Sequence, residues 1–143
     1  MRKRKTDQPR LPQTNPPQPI AKHRVLWSLA VAAYAVLLCV LSLIPIEVKV
    51  SPLLHLDKVI HVWEYLLFAW LLVQALRAHQ LHDQEWGLLA WMFTTSYGLL
   101  MELLQVLVPW RSADWADALC NGIGAAMGVW LSHRYQVSAK RLG

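Results

Sequence analysis

Charged residues are scarce in this 143-residue sequence, and their scarcity points to the class of protein. Asp, Glu, Lys and Arg make up 16% of the chain, whereas about a quarter is usual for a soluble domain. Hydrophobic residues make up 55% and the mean hydropathy is +0.28, which argues against a soluble globular enzyme. The chain also contains eight Trp, a residue that favours the interface between membrane and water. The composition therefore predicts a membrane protein whose first partner is the lipid bilayer.

Cysteines and the common catalytic motifs are also few or missing. Cys39 and Cys120 both lie inside apolar stretches, so the sequence predicts neither a disulfide framework nor a thiolate zinc site. No HExxH, GxSxG or glycine-rich phosphate loop occurs in the chain. No catalytic residue can be named from these motifs, and whether the protein is an enzyme stays open at this point.

Positive charge is concentrated at the N-terminus. Seven of the fourteen Lys and Arg lie in residues 1–24, a segment that is rich in Pro, Gln and Asn and has little to bury. Such a composition predicts a disordered tail. A nucleic-acid-binding arm is disfavoured because neither a folded basic module nor an aromatic platform accompanies it. We therefore expect a basic cytoplasmic flank that contacts anionic lipid.

Four apolar stretches follow this tail. Residues 25–46 carry no charge over a length sufficient to cross a hydrocarbon core of about 30 Å, and they are too long for a secretory signal peptide. Residues 58–76 form the second stretch, and residues 86–108, with the single charge of Glu102, form the third. Residues 115–132 form the shortest, which is compatible with a re-entrant element but favours a full span. The expected fold is all-α, with four transmembrane helices.

The distribution of Lys and Arg predicts the orientation of these helices. Basic residues are numerous before the first helix and after the fourth, whereas each of the other connections has one or two. Because positive residues favour the cytoplasmic side, we expect both termini in the cytoplasm. The predicted parts are a disordered tail at 1–24, a four-helix membrane domain at 25–132 and a short cytoplasmic tail at 133–143.

Polar residues concentrate at one end of the predicted helices. In the second helix they recur at spacings of four, seven and eight positions, which places them on one helical face. The third and fourth helices each carry a comparable face, and all three occupy a similar depth in the outer leaflet. The predicted site residues, with two nearby cations, are Asp57, Lys58, His61, Glu64, Tyr65, Glu102, Gln105, Arg111, Asp114, Asp117 and Asn121. Three polar faces at one depth predict a shared polar cavity.

This predicted site contains more acid than base. Its five carboxylates accompany two permanent cations, Lys58 and Arg111. Ionisable residues inside a membrane are costly and are expected to pair or to face the bundle interior. The cavity must therefore hold protons on some carboxylates, bind a cation, or take charge from a ligand. In the second case a divalent cation would be the cofactor, with candidate ligands His61, Glu64, Glu102 and Asp117.

Structural roles are alternatives for several of these residues. Asp57 and Asp114 have the positions of helix N-caps, and Glu102 with Gln105 has the spacing of an interhelical hydrogen-bonding pair. The glycines of "GIGAAMG" at 122–128 have the spacing of close helix packing in membranes. Capping does not explain the polar residues that lie a turn or more inside the helices. The convergence of three faces is what favours a site.

Three motifs resemble the VanZ-like family of small bacterial membrane proteins. They are "DKVIHVWEY" at 57–65, "ELLQVLVPWRS" at 102–112 and "DWADALCNGIGAAMG" at 114–128, in the order and spacing of that family. The resemblance extends from about the first apolar stretch to the third motif. The resemblance implies that the polar residues of the family correspond to residues of the predicted site, and that Gly124 also belongs to the family's pattern. Trp110 stands where the family commonly has Gly, which makes this connection bulkier.

The resemblance implies a four-helix, multi-pass protein of the bacterial inner membrane with a role at the cell envelope. The founding member of the family is associated with low-level resistance to the glycopeptide antibiotic teicoplanin. A link to the glycopeptide response is one role that the resemblance allows for this chain, while antibiotic resistance, the ligand and the oligomeric state stay open.

Three functions are compatible with these observations. The leading hypothesis is binding of an anionic lipid or cell-wall-precursor head group, such as a phospholipid or a polyprenyl phosphate. Lys58 and Arg111 would then hold the phosphate, with Tyr65, Gln105 and Asn121 as neutral hydrogen-bonding groups. The second is a membrane-embedded hydrolase or transferase, metal-dependent or with a carboxylate as general acid, which acts on a lipid-linked substrate. The third is a structural or assembly subunit whose polar residues specify helix packing.

Overall fold

The computed structural model describes residues 19–44, 56–79, 86–111 and 113–142, and these are almost entirely helical. Four helices occur within these ranges: α1 (Pro19–Leu43), α2 (Leu56–Ala78), α3 (Trp86–Gln105) and α4 (Trp115–Leu142). No strand occurs in the same ranges. The prediction of an all-α chain with four helices is confirmed.

The helix bounds differ from the predicted apolar stretches at both ends of the chain. α1 begins at Pro19, inside the segment predicted as a tail, and proline suits the first turn because its missing N–H has no intrahelical partner there. α4 continues past position 132 to Leu142, where a short tail was expected. Residues 1–18, the greater part of the predicted disordered tail, lie outside the described residues, so the division into parts stays a prediction.

Three of the helices are long and apolar enough to cross a membrane. The segments are Lys22–Leu43, Leu56–Ala78 and Trp86–Gln105. Within the described part of the chain, α4 does not join them, because Asp117, Asn121 and its glycines lower the hydropathy of its first half. Many large apolar side chains are exposed on the outer faces of the helices, as is usual for faces that lie against lipid. The fourth span stays a prediction.

Helices that follow one another along the chain run antiparallel, so the start of α1 and the second half of α4 lie at the same end of the bundle. At that end the Nε of Arg24 donates a hydrogen bond to the carbonyl oxygen of Ala78 at 2.8 Å. The guanidinium of Arg77 lies 4.4 Å from the ring centroid of Trp86 at the start of α3. The opposite end therefore holds the last turns of α1 and α3 and the first turns of α2 and α4.

α2 and α4 run parallel and pack closely through two glycines. A Cβ at Gly124 would collide with the backbone carbonyl oxygen of Val62, and a Cβ at Gly128 would collide with that of Leu66. The missing side chains allow the two backbones to approach, which is a common way for helices to associate in membranes. The close-packing role predicted for these two glycines is confirmed, and it aligns the first turns of α2 and α4.

An aromatic core joins α1, α2 and α3 in the middle of the bundle. Tyr65 and Phe68 of α2 are fully buried, with Tyr34 and Tyr97 packed against them. The hydroxyl of Tyr34 donates to a backbone carbonyl of α2 at 3.2 Å, and that of Tyr97 donates to a backbone carbonyl of α1 at 2.6 Å. Because buried phenol groups need such partners, these bonds fix the three helices beneath the polar end of the bundle.

Candidate functional site

Charged and amide side chains of α2, α3 and α4 come together at the end where α2 and α4 begin. The parallel register of α2 and α4 places their first turns side by side, and antiparallel α3 brings its last turn to the same place. We refer to this group as the polar cluster, which consists of Asp57, Lys58, His61, Glu64, Glu102, Asp114, Asp117 and Asn121. Most of the predicted site residues therefore lie in one group.

Three carboxylates surround the ammonium of Lys58. Its Nζ lies 2.7 Å from Oδ1 of Asp117, 2.8 Å from Oδ2 of Asp114 and 3.5 Å from Oδ2 of Asp57. The contacts to Asp117 and Asp114 are hydrogen bonds, whereas that to Asp57 is a longer ion pair, so these hydrogen bonds use two of the three N–H donors of the ammonium. A phosphate that approached Lys58 would meet three carboxylates around the ammonium.

His61 lies between two carboxylates. Its Nε2 is 3.7 Å from Oδ2 of Asp117, and its Nδ1 is 3.8 Å from Oε2 of Glu64. Both distances exceed that of a hydrogen bond, and the mostly buried Nδ1 has no hydrogen-bond partner among the described residues. Asp117 thus presents one oxygen to Lys58 and the other to His61, while the imidazole has an acidic neighbour on each side.

Glu102 and Asp114 connect α3 to the start of α4. The backbone N–H of Asp114 donates to Oε2 of Glu102 at 3.2 Å, and Oδ1 of Asp114 accepts from the N–H of Ala116 at 2.9 Å. The second bond is that of a helix N-cap, which confirms the capping role predicted for Asp114. The Lys58 ammonium, and then the Ala116 N–H, hold the pKa of Asp114 below its ordinary value.

A second layer lies one helical turn deeper. Asn121 comes four positions after Asp117, Tyr65 four after His61, and Gly98 four before Glu102. Four positions are about one helical turn, so these three residues lie one turn further into the bundle. Asn121 is 1% exposed, and neither of its amide atoms has a hydrogen-bond partner in the described ranges. An unpaired buried amide costs about 1–3 kcal/mol. Asn121 is therefore a buried polar residue beneath the charged side chains, and its amide makes no hydrogen bond with the described residues.

Gly98 makes room for the side chains of Tyr65 and Asn121, a role that was not predicted from the sequence. A Cβ at Gly98 would lie 2.8 Å from Cε1 of Tyr65 and 2.9 Å from Cβ of Asn121. The signal was present in the sequence, since Gly98 precedes Glu102 by four positions and so shares its helical face. A small residue at that position indicates that neighbouring side chains enter the space.

Arg111 and Gln105 are engaged at the end of α1 rather than in the centre of the polar cluster. Arg111 donates from Nε to the carbonyl oxygen of Ser42 at 3.0 Å and from a terminal nitrogen to that of Leu41 at 3.2 Å. Gln105 also donates to Ser42, at 3.2 Å, and Trp110 donates from Nε1 to Leu43. The last carbonyls of a helix have no intrahelical partner, and the connection between α3 and α4 satisfies three of them.

These contacts fit the structural alternative for Glu102 and Gln105, since each makes a hydrogen bond that ties α3 to another segment. Trp110, which stands where the family commonly has Gly, caps the end of α1. Arg111 itself is exposed and lies in the connection between α3 and α4. Its predicted role in holding a ligand phosphate stays a prediction.

Three side chains of the polar cluster have the arrangement of a metal-binding group. One ligand atom from each of His61, Glu102 and Asp117 lies within 4.8 Å of the other two. One nitrogen and two carboxylate oxygens suit a divalent cation of intermediate hardness. Glu64, the fourth predicted candidate ligand, lies on the far side of the imidazole, against Nδ1. The same arrangement would also allow His61 to exchange protons with the carboxylates of Asp117 and Glu64.

A helical bundle with three segments apolar enough to cross a membrane, and a charged group at one end, defines this chain as a helical membrane protein. The chain belongs to the VanZ-like family, because the family model described as VanZ/LLP1 matches residues 14–136. The match confirms the resemblance and covers more of the chain than the three motifs do. Searches of curated proteins and of solved structures found no match.

Proposed function

We propose that this protein is a four-span protein of the bacterial inner membrane with both termini in the cytoplasm and the polar cluster in the outer leaflet. The bundle supports this orientation because the start of α1 and the end of α4 lie opposite the polar cluster. These two segments carry five basic residues, and five more precede α1 in the sequence. Basic flanks favour the cytoplasmic side. In this arrangement α4 crosses the membrane with its glycine face against α2, and its polar first turns lie in the bundle interior.

The function that we propose is binding of an anionic lipid or cell-wall-precursor head group by the polar cluster. The observation that carries it is the amide of Asn121, which is buried beneath charged residues without a hydrogen-bond partner in the described part of the chain. The charged side chains at the rim are accessible, since that of Asp57 is 60% exposed and that of Asp114 is 49% exposed. A head group that enters from the rim would supply the hydrogen bonds that Asn121 lacks.

Head-group binding also fits the family. A protein that holds phospholipid or polyprenyl-phosphate head groups at the outer leaflet would alter how envelope precursors are exposed, and thereby the response to a glycopeptide such as teicoplanin. The acid excess of the polar cluster shapes the chemistry of the ligand, which must offer hydroxyl or amide donors, or a cation, in addition to its phosphate.

The test is the lipid that stays bound during purification. Lipids extracted from the detergent-purified wild type, Asn121→Ala and Ser132→Ala are quantified by mass spectrometry. Ser132 is a matched control because its hydroxyl is also buried on α4 without a hydrogen-bond partner among the described residues, but it lies eleven positions after Asn121, away from the polar cluster. We expect a retained phosphate-containing lipid that Asn121→Ala loses at least tenfold and Ser132→Ala keeps. Equal retention by all three would refute the proposed function.

A hydrolase or transferase acting on a lipid-linked substrate is the second candidate. The observation that favours it is the position of His61 between Asp117 and Glu64, since a histidine held between carboxylates is a common general base or acid. Phosphate release from a polyprenyl diphosphate in detergent tests it. Release by the wild type that His61→Ala lowers at least a hundredfold would support an enzyme, and the absence of release by the wild type would contradict it.

A further inference from the structure

We infer that His61, Glu102 and Asp117 bind one divalent transition-metal cation of the Mn²⁺ or Zn²⁺ class at the centre of the polar cluster. The three residues come from α2, α3 and α4, so the ion would join the three helices. The role that we assign to it, bridging the protein to a phosphate, rests on the head-group binding proposed above. Occupancy of the site itself does not depend on that function and can be measured without lipid.

The distances between the ligand atoms are close to those of a coordination sphere. Metal–ligand bonds of about 2.1 Å place neighbouring ligand atoms about 3.0–3.4 Å apart in octahedral or tetrahedral geometry. Nε2 of His61 and Oδ2 of Asp117 are 3.7 Å apart, and the group including Glu102 spans at most 4.8 Å. Shifts of about 1 Å or less for each ligand atom reach bonding distance, and side-chain rotation supplies them.

The hydrogen bonds of Asp117 and Glu102 leave each carboxylate able to bind the ion. Oδ1 of Asp117 is bound to Lys58, which leaves Oδ2 for the ion. Oε2 of Glu102 accepts the N–H of Asp114, and a carboxylate has lone pairs beyond that single bond. The ammonium of Lys58 also forms an ion pair with Asp114 at the rim. This pairing reduces the repulsion between its positive charge and the ion.

Glu64 orients the imidazole. A metal-bound histidine usually donates its other ring N–H to a carboxylate or carbonyl, which fixes the tautomer and raises the basicity of the ligand nitrogen. Nδ1 of His61 has no hydrogen-bond partner in the described ranges, and Oε2 of Glu64 lies 3.8 Å away. A small rotation closes that distance, with Nε2 left for the metal. Glu64 is thus a positioning residue.

Asn121 supplies an independent observation that points to a ligand. Its amide is 1% exposed, lies one turn beneath Asp117 on the same face of α4, and has no hydrogen-bond partner among the described residues. Water molecules that complete the coordination sphere of an ion would donate to the Oδ1 of this amide, and the head group proposed above would accept from its Nδ2.

The net negative charge of the polar cluster also favours a bound cation. Five carboxylates exceed Lys58 and Arg111 by three negative charges, a large excess at the end of a membrane bundle. One divalent cation removes most of it. The bound ion then presents positive charge to the rim, where it would hold a phosphate whose approach the uncompensated carboxylates would oppose.

Metal titration of untagged, EDTA-stripped protein in lipid-free detergent tests the inference. We expect the wild type to bind about one equivalent of Mn²⁺, displaced by Zn²⁺, and His61→Ala and Glu102→Gln to bind at least tenfold more weakly. Glu85→Gln is the matched control, since it removes a carboxylate seventeen positions before Glu102 in the sequence that is not a member of the polar cluster. Circular dichroism verifies that each variant keeps its helices.

A readout from the wild type alone covers the case in which the variants do not fold. Pulsed electron paramagnetic resonance of the Mn²⁺-loaded wild type should show coupling to an imidazole nitrogen. Absence of a stoichiometric site, absence of nitrogen coupling, or equal weakening by Glu85→Gln would each overturn the inference. These outcomes leave head-group binding intact, whereas a metal-binding protein that retains no lipid would contradict the proposed function and leave the metal site standing.

Discussion

Nε2 of His61 lies 3.7 Å from Oδ2 of Asp117, across the parallel contact between α2 and α4. The other oxygen of the same carboxylate lies 2.7 Å from the ammonium of Lys58. Asp117 therefore links the charged rim of the polar cluster to its mostly buried histidine. Residues joined in this way respond to mutation as a unit rather than additively, so Asp117 is the first position at which to test the structure.

Asp117→Asn keeps the size of the side chain and removes its charge. We expect the free energy of unfolding to fall by about 1–3 kcal/mol, because Lys58 and His61 lose a shared and mostly buried partner. Thermal unfolding in detergent measures the change. Asp57→Asn removes a carboxylate that is 60% exposed and 3.5 Å from the same ammonium, and we expect little effect. Equal losses in both variants would show that only net charge matters.

Close packing of α2 and α4 predicts a different response at two neighbouring glycines. Gly124→Ala places a Cβ against the carbonyl oxygen of Val62, whereas a Cβ at Gly122 meets Thr95 Cγ2 at an ordinary 3.6 Å. We expect Gly124→Ala to lower the free energy of unfolding by about 1–3 kcal/mol and Gly122→Ala to be nearly neutral. Thermal unfolding of both variants is the measurement. A tolerated alanine at 124 would contradict the helix register.

The pairing of Asp114 predicts an acid-sensitive contribution to stability. Its pKa is held below the ordinary value of 3.8, first by Lys58 and then by the Ala116 N–H. A carboxyl whose pKa is lowered by folding stabilises the fold above its unfolded pKa, and this contribution is lost as the pH falls through the folded pKa. Melting temperatures of wild type and Asp114→Asn should therefore differ at neutral pH and converge as the pH falls through the lowered pKa of Asp114, below 3.8. A constant difference at all pH values would contradict this assignment.

The proposed topology predicts which sites a reagent can reach from outside the cell. In a background where Cys39 and Cys120 are replaced by Ala, single cysteines are placed at Thr6, Ala113 and Ser138. We expect a membrane-impermeant maleimide to label intact spheroplasts at position 113 alone, and all three positions after lysis. Labelling of position 138 from outside would mean that α4 does not cross the membrane or that the orientation is reversed.

Helical periodicity predicted most of the polar cluster. Asp57 and His61 on α2, and Asp117 and Asn121 on α4, each stand four positions apart, which in a helix means one face. Charges are costly in a membrane, so faces of this kind had to meet inside the bundle. The convergence of these faces could therefore be predicted from helical spacing and from the cost of charge in a membrane.

The details of the contacts did not follow from periodicity. Nothing in a spacing pattern states that α2 and α4 are parallel neighbours, because that register depends on the backbone approach at Gly124 and Gly128. Arg111 lies in a connection whose path no repeat defines. Its guanidinium suits a ligand phosphate and the free carbonyls of α1 equally well, and only the three-dimensional arrangement places it on Ser42 and Leu41.

Native mass spectrometry of the wild type beside Glu102→Ala tests most directly whether the polar cluster is a binding site. Glu102 is only 5% exposed and joins α3 to the start of α4. We predict that the wild type carries the mass of a phospholipid or polyprenyl phosphate, with one divalent metal ion, and that the variant loses both. If the two proteins are equally folded and both are bare, the polar cluster specifies helix packing, and binding as its function is contradicted.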